Sequence, residues 1–155
     1  MRKKFEQQLS IDLVPIGEIK IRENKRDELP PILIGLQYIF VTPELNQEVF
    51  RILDEAVLKG KKRTGRKGMD LWHILVLGVV RMGLDLNYDR LLDLYNHHTL
   101  IRQIMGISPT GEGMKELALT TLRENVSLLS ETTLKQIDEI VVKAGHRLVK
   151  KKRKN

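Results

Sequence analysis

The chain has 155 residues, no cysteine and a formal net charge of +7. The lack of cysteine excludes disulfides, cysteine-ligated zinc and cysteine nucleophiles. The longest apolar stretch, residues 74–80, is far shorter than the ~20 residues of a membrane span. The charged first residues lead into glutamines and not into the apolar run of a signal peptide. We therefore expect a soluble cytoplasmic protein that can bury a core of its own.

The positive charge is concentrated in two short segments. Residues 59–67 and 147–154 each hold six basic residues and no acidic residue. Of the 27 Lys and Arg residues, 15 then remain against 20 Asp and Glu residues, so the rest of the chain has a net charge of −5. Concentrated positive segments suit a polyanion such as DNA, because each neutralised phosphate releases counterions. The alternative is a solubilising linker and a disordered tail.

We expect the first 29 residues to form either a small hairpin or an ordered arm. Apolar residues alternate there around Pro15 and Gly17, as strands of a hairpin would require. These residues are Ile11, Leu13, Ile19 and Ile21.

From residue 30 onward, apolar residues recur with helical periodicity. We expect N-terminal caps or starts at Thr42, Asp70, Asn87 and Ser130 and an end at Gly106. The helix after Asp70 is apolar on almost all sides and should be the central buried helix, with Gly78 allowing a close helix crossing. The predicted helices are 30–40, 43–59, 71–82, 88–95, 98–105, 120–129 and 131–149. This pattern predicts an all-α protein, a multi-helix bundle with an N-terminal arm.

Three of these helices have the spacing of a helix-turn-helix-like unit: 71–82, 88–95 and 98–105. On the third, the face opposite the apolar residues carries His98, Thr99, Arg102 and Gln103. Arg and Gln match the major-groove edges of guanine and adenine, and Thr and His suit phosphates or bases. The alternative is the solvated side of an ordinary packing helix.

The internal basic segment supplies the other DNA-binding candidates. Arg66 lies near Gly65 and Gly68, so little bulk would hinder its entry into a narrow minor groove. The candidates for backbone contact are Lys59, Lys61, Lys62, Arg63, Arg66 and Lys67.

Catalytic and metal-binding motifs are not found. Asp85, Asp89 and Asp93 are spaced to line one helix face, which we interpret as solvated. His97 and His98 are adjacent and lack the three- or four-residue spacing of a shared metal. No Gly-rich phosphate loop or nucleophile elbow is present, so we expect no metal and no cofactor.

The last helix has apolar residues spaced 3, 4, 3 and 4 apart, which is the spacing of a coiled-coil seam. This spacing predicts a homodimer through helix 131–149. The seam residues are Leu134, Ile137, Val141, Ala144 and Leu148.

The run GRKGMDLWHILVLGVVRMGLDLNYDRLLDLYNHHTLIRQIMGI, residues 65–107, resembles the N-terminal helical domain of insertion-sequence DDE transposases of the InsH-like kind. The wider chain resembles the ISNCY-type group through RDELPPIL (26–33), LQYIFVTPELNQEVF (36–50), ENVSLL (124–129) and IVVKAGHRLVKKK (140–152). Lys67 departs from the family, which often has proline after Gly-Arg.

The resemblance implies a domain that binds the terminal inverted repeats of the element, followed in the family by an RNase H-like catalytic domain. The first catalytic Asp of the family lies on a strand beyond the helix that matches 131–149, and this sequence stops at Asn155. No acidic residue here is therefore assigned a DDE role.

We thus divide the chain into the arm (1–29), a helical DNA-binding domain (30–149) and a basic tail (150–155). The favoured function is non-catalytic binding of double-stranded DNA at transposon ends, without membrane contact. The alternative is a helical protein–protein module that dimerises. An intact small enzyme is the third hypothesis, which the lack of a catalytic motif disfavours.

Overall fold

The computed structural model describes residues 4–5, 13–22, 26–58, 68–110 and 116–153. Within these ranges the chain is helical throughout its regular structure and contains no strand. One short 3₁₀ turn, Ile16–Glu18, precedes the α-helices. These are α1 (Leu29–Val41), α2 (Pro43–Leu58), α3 (Leu71–Leu84), α4 (Tyr88–His97), α5 (Thr99–Met105), α6 (Leu119–Val126) and α7 (Glu131–Arg153). The predicted all-α class is confirmed.

Helix α3 is the centre of the bundle. It contacts each of the other described helices, and its residues 74–80 are buried, as its apolar character on all sides requires. Trp72 is fully buried and donates its Nε1–H to the carbonyl of Ile104 at 2.8 Å. A Cβ placed on Gly78 would lie 3.1 Å from side-chain carbons of Leu129 and Leu134. The prediction that Gly78 permits a close crossing is confirmed.

Several predicted helix ends are also confirmed by their hydrogen bonds. Asn87 accepts from the backbone N–H of Arg90 through Oδ1 at 2.8 Å, and Ser130 accepts from Thr133 N through Oγ at 3.1 Å. Gly106 ends α5 with a φ of 75°, in the left-handed region that favours glycine. Asp70 occupies the N-cap position of α3 but makes no side-chain capping bond.

The N-terminal arm is not a hairpin where it is described. Residues 13–22 contain the 3₁₀ turn and no strand, so the alternation of apolar residues was a misleading signal there. The arm is instead held against α1, because the Gln37 side-chain amide donates to the carbonyls of Ile16 and Ile19, each at 2.8 Å. Ile16 and Ile19 are buried against the bundle, and Ile11 lies outside the described residues.

Helix α7 packs along the bundle and extends further than predicted. It contacts α1, α2 and α3, and its Leu134 and Ile137 side chains are buried in the protein's own core. The helix continues to Arg153, so residues 150–153, expected to be a tail, belong to it.

Candidate nucleic-acid interface

Helices α4 and α5 meet at a single residue, His98. The His98 backbone N–H donates to Leu94 O at 2.8 Å and closes α4, while its carbonyl accepts from Arg102 N at 3.1 Å and opens α5. The His98 Nδ1 accepts from Ile101 N at 3.3 Å. Both helices pack on α3. This three-helix arrangement is compatible with the predicted helix-turn-helix unit, with a turn shorter than usual between α4 and α5.

The exposed face of α5 carries fewer of the predicted residues than the sequence pattern indicated. Thr99 is exposed, and Gln103 and His98 are half-buried. Thr99 and Gln103 are four residues apart and therefore lie on the same helix face. These three remain as candidate DNA contacts on α5.

Arg102 is not on this face, and the expectation that it is exposed is wrong. Its side chain is only 3% exposed. Its Nε donates to Ser108 O at 2.6 Å and its Nη1 donates to Tyr95 O at 2.7 Å, while the guanidinium also lies 5.6 Å from the Tyr95 ring centroid. A base could engage Arg102 only at the expense of these bonds.

Arg102 is buried because α5 is short. On a helix of seven residues, the ends of the neighbouring segments cover positions that an isolated helical pattern assigns to solvent. Here the last turn of α4 lies on one side of Arg102, and the segment after Gly106 lies on the other.

The surroundings of His98 favour the neutral form of its imidazole. Partial burial lowers its pKa below 6.5, opposed in part by the nearby Asp27 carboxylate. With Nδ1 accepting a backbone N–H, the proton of the neutral ring belongs on Nε2. His98 can therefore offer one hydrogen-bond donor to a ligand, without a positive charge.

The six cations of the internal basic segment, 59–67, lie outside the described residues, and only the flanks of the segment are seen. On its C-terminal side, Met69 N donates to Asn125 Oδ1 of α6 at 3.2 Å. The first turn of α3 then contacts the end of α5, where His73 Nε2 lies 2.9 Å from Met105 O. The described residues that follow the basic segment are thus held between α6 and the end of α5.

The acidic residues near α4 do not form a cluster. Asp85 is the C-cap of α3, with a φ of 52°, so only Asp89 and Asp93 share the α4 helix, and both are exposed. The expectation that all three line one helix face is wrong, because a turn separates Asp85 from the others. Over the described residues, no three His, Cys, Asp or Glu side chains are placed to hold a metal ion.

One cationic group was missed in the sequence. The Cζ atom of Arg81 lies 4.3 Å from the centroid of the Tyr88 ring, and that of Arg123 lies 5.5 Å from the same centroid. The three residues come from α3, α4 and α6. No spacing rule joins residues from three helices, so no local signal could have found them.

The described residues define an all-helical protein built around one central helix. None of the protein-family models, curated proteins and solved structures with which the chain was compared matches it. In the described part of the chain, no helix is both long and apolar enough to cross a membrane.

Proposed function

We propose that this chain binds duplex DNA without cleaving it, as the end-binding part of an insertion-sequence transposase. The observation that carries the proposal is the separation of charge: twelve basic residues in two segments, and a net charge of −5 over the remainder. Evenly spread charge would suffice for solubility. Two concentrated positive segments instead favour binding to a polyphosphate such as DNA.

The surroundings of the internal basic segment support the proposal. Met69 and the first turn of α3 are held next to α6 and the end of α5, and α5 exposes Thr99. A duplex lying against α5 would thus be close to Met69, which follows the basic segment in the sequence. In this arrangement the basic segment contacts phosphates, and Thr99 and Gln103 contact base edges.

The test is a gel-shift titration of the whole chain with duplex DNA at two ionic strengths. If ~6 phosphates are contacted, affinity should fall by about three orders of magnitude between ~50 and ~200 mM salt. Salt-independent binding, or no binding at low salt, would contradict the proposal.

A charge-matched pair of triple variants separates local contact from net charge. Lys62→Gln, Arg66→Gln and Lys67→Gln together should weaken binding to every sequence and lower the salt slope. Lys20→Gln, Arg51→Gln and Lys135→Gln together remove the same charge from exposed positions elsewhere. They should leave the slope nearly unchanged. Equal effects of the two sets would indicate attraction by net charge alone.

The alternative, a dimerisation module, is favoured by one observation: Val142 on α7 is 46% exposed. However, the first two residues of the supposed seam, Leu134 and Ile137, already pack within the protein's own core. Val141, Ala144 and Leu148 have side chains outside the described set. Sedimentation of the chain and of Val142→Asp, without DNA, tests this function. A dimer that the substitution dissociates and that resists high salt would support it.

A further inference from the structure

Arg81 and Arg123 are held against one aromatic ring by the packing of three helices. Arg81 is in the last turn of α3, Arg123 is in the last turn of α6, and Tyr88 is the first residue of α4. Both guanidiniums lie within cation–π distance of the Tyr88 ring. The ring therefore restricts two long side chains that would otherwise sample many rotamers.

The hydrogen-bond donors of these two arginines are not used inside the described part of the protein. The Arg81 Nε is buried and has no hydrogen-bond partner. Its Nη1 and Nη2 make no hydrogen bond to described residues either, and the Arg81 side chain is partly exposed. Arg123 is exposed. Neither guanidinium forms an ion pair with a described carboxylate.

This arrangement contrasts with the charge around it. Outside its two basic segments the chain has more acidic than basic residues, and the described Arg51 is paired with Glu55 at 3.2 Å. Asp85, Asp89 and Glu124 are near in sequence and exposed, yet none forms an ion pair with either arginine among the described residues. The two guanidiniums at this ring carry like charges that repel one another, and a bound anion would offset that repulsion.

We infer that Arg81 and Arg123 bind the phosphodiester backbone of the DNA, with Tyr88 as the platform that positions them. The inference rests on the proposed function and adds a contact outside the basic segments. Planar guanidiniums suit phosphate because two parallel N–H groups can bond two of its oxygens. The N-terminal end of α4, where Tyr88 lies, adds the favourable sign of the helix dipole.

The experiment measures the salt slope of DNA binding for three proteins. The double variant Arg81→Gln with Arg123→Gln should weaken binding to all sequences alike and reduce the slope by about 1 for each phosphate that the variant no longer neutralises. The matched control, Arg22→Gln with Arg51→Gln, removes the same charge from two other exposed arginines and should keep the wild-type slope. Circular dichroism confirms that each protein is folded.

Arg123→Gln alone provides a second variant, since an exposed side chain can change without disturbing the core. Its slope should fall by about 1 if Arg123 binds a phosphate. If the wild type binds DNA with a steep slope and both Arg123 variants keep that slope, this inference is wrong and the proposed function stands. If the wild type itself shows no salt-dependent binding, both are wrong.

Discussion

Arg102 Nε donates to the carbonyl oxygen of Ser108 at 2.6 Å inside the protein. Together with the bond from Nη1 to Tyr95 O, this contact joins the end of α4, the middle of α5 and the segment after α5. A residue that the helical pattern assigned to DNA thus holds the candidate interface together. Arg102 therefore acts by fixing the position of α5 relative to its neighbouring segments.

Arg102→Ala should lower the free energy of unfolding by about 2 to 4 kcal/mol, because it leaves two buried carbonyls without their charged donor. Arg102→Lys should recover only part of the loss, since an ammonium group cannot reproduce the planar fork. Urea unfolding followed by circular dichroism measures both values.

The control for this pair is Arg51→Ala, which removes an exposed arginine and its ion pair with Glu55. It should cost less than about 0.5 kcal/mol. Should Arg102→Ala keep full stability yet lose discrimination between DNA sites, the residue would be a base contact after all.

Gly106 is expected to resist substitution for two separate reasons. Its φ of 75° disfavours any residue with a Cβ, and a Cβ there would lie 2.5 Å from Phe5 Cζ. Gly106→Ala should therefore cost about 2 to 3 kcal/mol in unfolding free energy. Gly106→Asn should relieve only the backbone part of this cost, because asparagine tolerates the left-handed region better than alanine but places the same Cβ against Phe5.

Gly17→Ala is the control for Gly106. A Cβ at Gly17 would lie 2.9 Å from Val41 Cγ1, but Val41 is 51% exposed and can move aside. Its cost should be below about 1 kcal/mol. Equal costs at the two glycines would show that neither the backbone angle nor Phe5 determines the effect.

The stability of the protein should fall in mild acid because of His73 and His98. Burial lowers the pKa of each below 6.5, the value expected in the unfolded chain. The unfolded state then binds more protons as the pH drops below 6.5, so unfolding becomes easier. For His73 the loss is at most about 1.4 kcal/mol per pH unit, and solvent screening makes the contribution of His98 smaller.

His73→Gln with His98→Asn removes both titrations and keeps the key contacts. Glutamine can still donate to Met105 O, and asparagine can still cap α5. Urea unfolding at pH 7.5 and 5.5 should show a smaller loss of stability in the double variant than in the wild type. The same loss in both proteins would assign the pH dependence to other groups.

If the chain binds transposon ends as proposed, Gln103→Ala should reduce its preference for terminal-repeat DNA over unrelated DNA, with little change in the salt slope. The reason is that a base contact carries sequence information, whereas a phosphate contact carries none. Competition gel shifts measure the preference. The control is Gln136→Ala, which removes an exposed glutamine side chain from α7 and should leave the preference unchanged. Asn46→Ala is unsuitable as a control, because the Asn46 amide donates to Phe40 O. An unchanged preference in Gln103→Ala would place base reading elsewhere.

The sequence alone determined that the chain is helical and where several of its helices begin or end. Asn87, Ser130 and Gly106 act through hydrogen bonds and backbone angles within a few residues, so their signals are local. The sequence also predicted the burial of α3, because a helix that is apolar on all sides has no polar face to expose to solvent.

Only the tertiary structure decided which polar side chains are available to a ligand. The helical pattern places Arg102 opposite the core, but the segments packed beside a short helix cover it. Arg81, Tyr88 and Arg123 come together from three helices, and the arm follows α1 because Gln37 binds its carbonyls. These outcomes depend on how the helices pack against one another, and the period of a single helix carries no information about its neighbours.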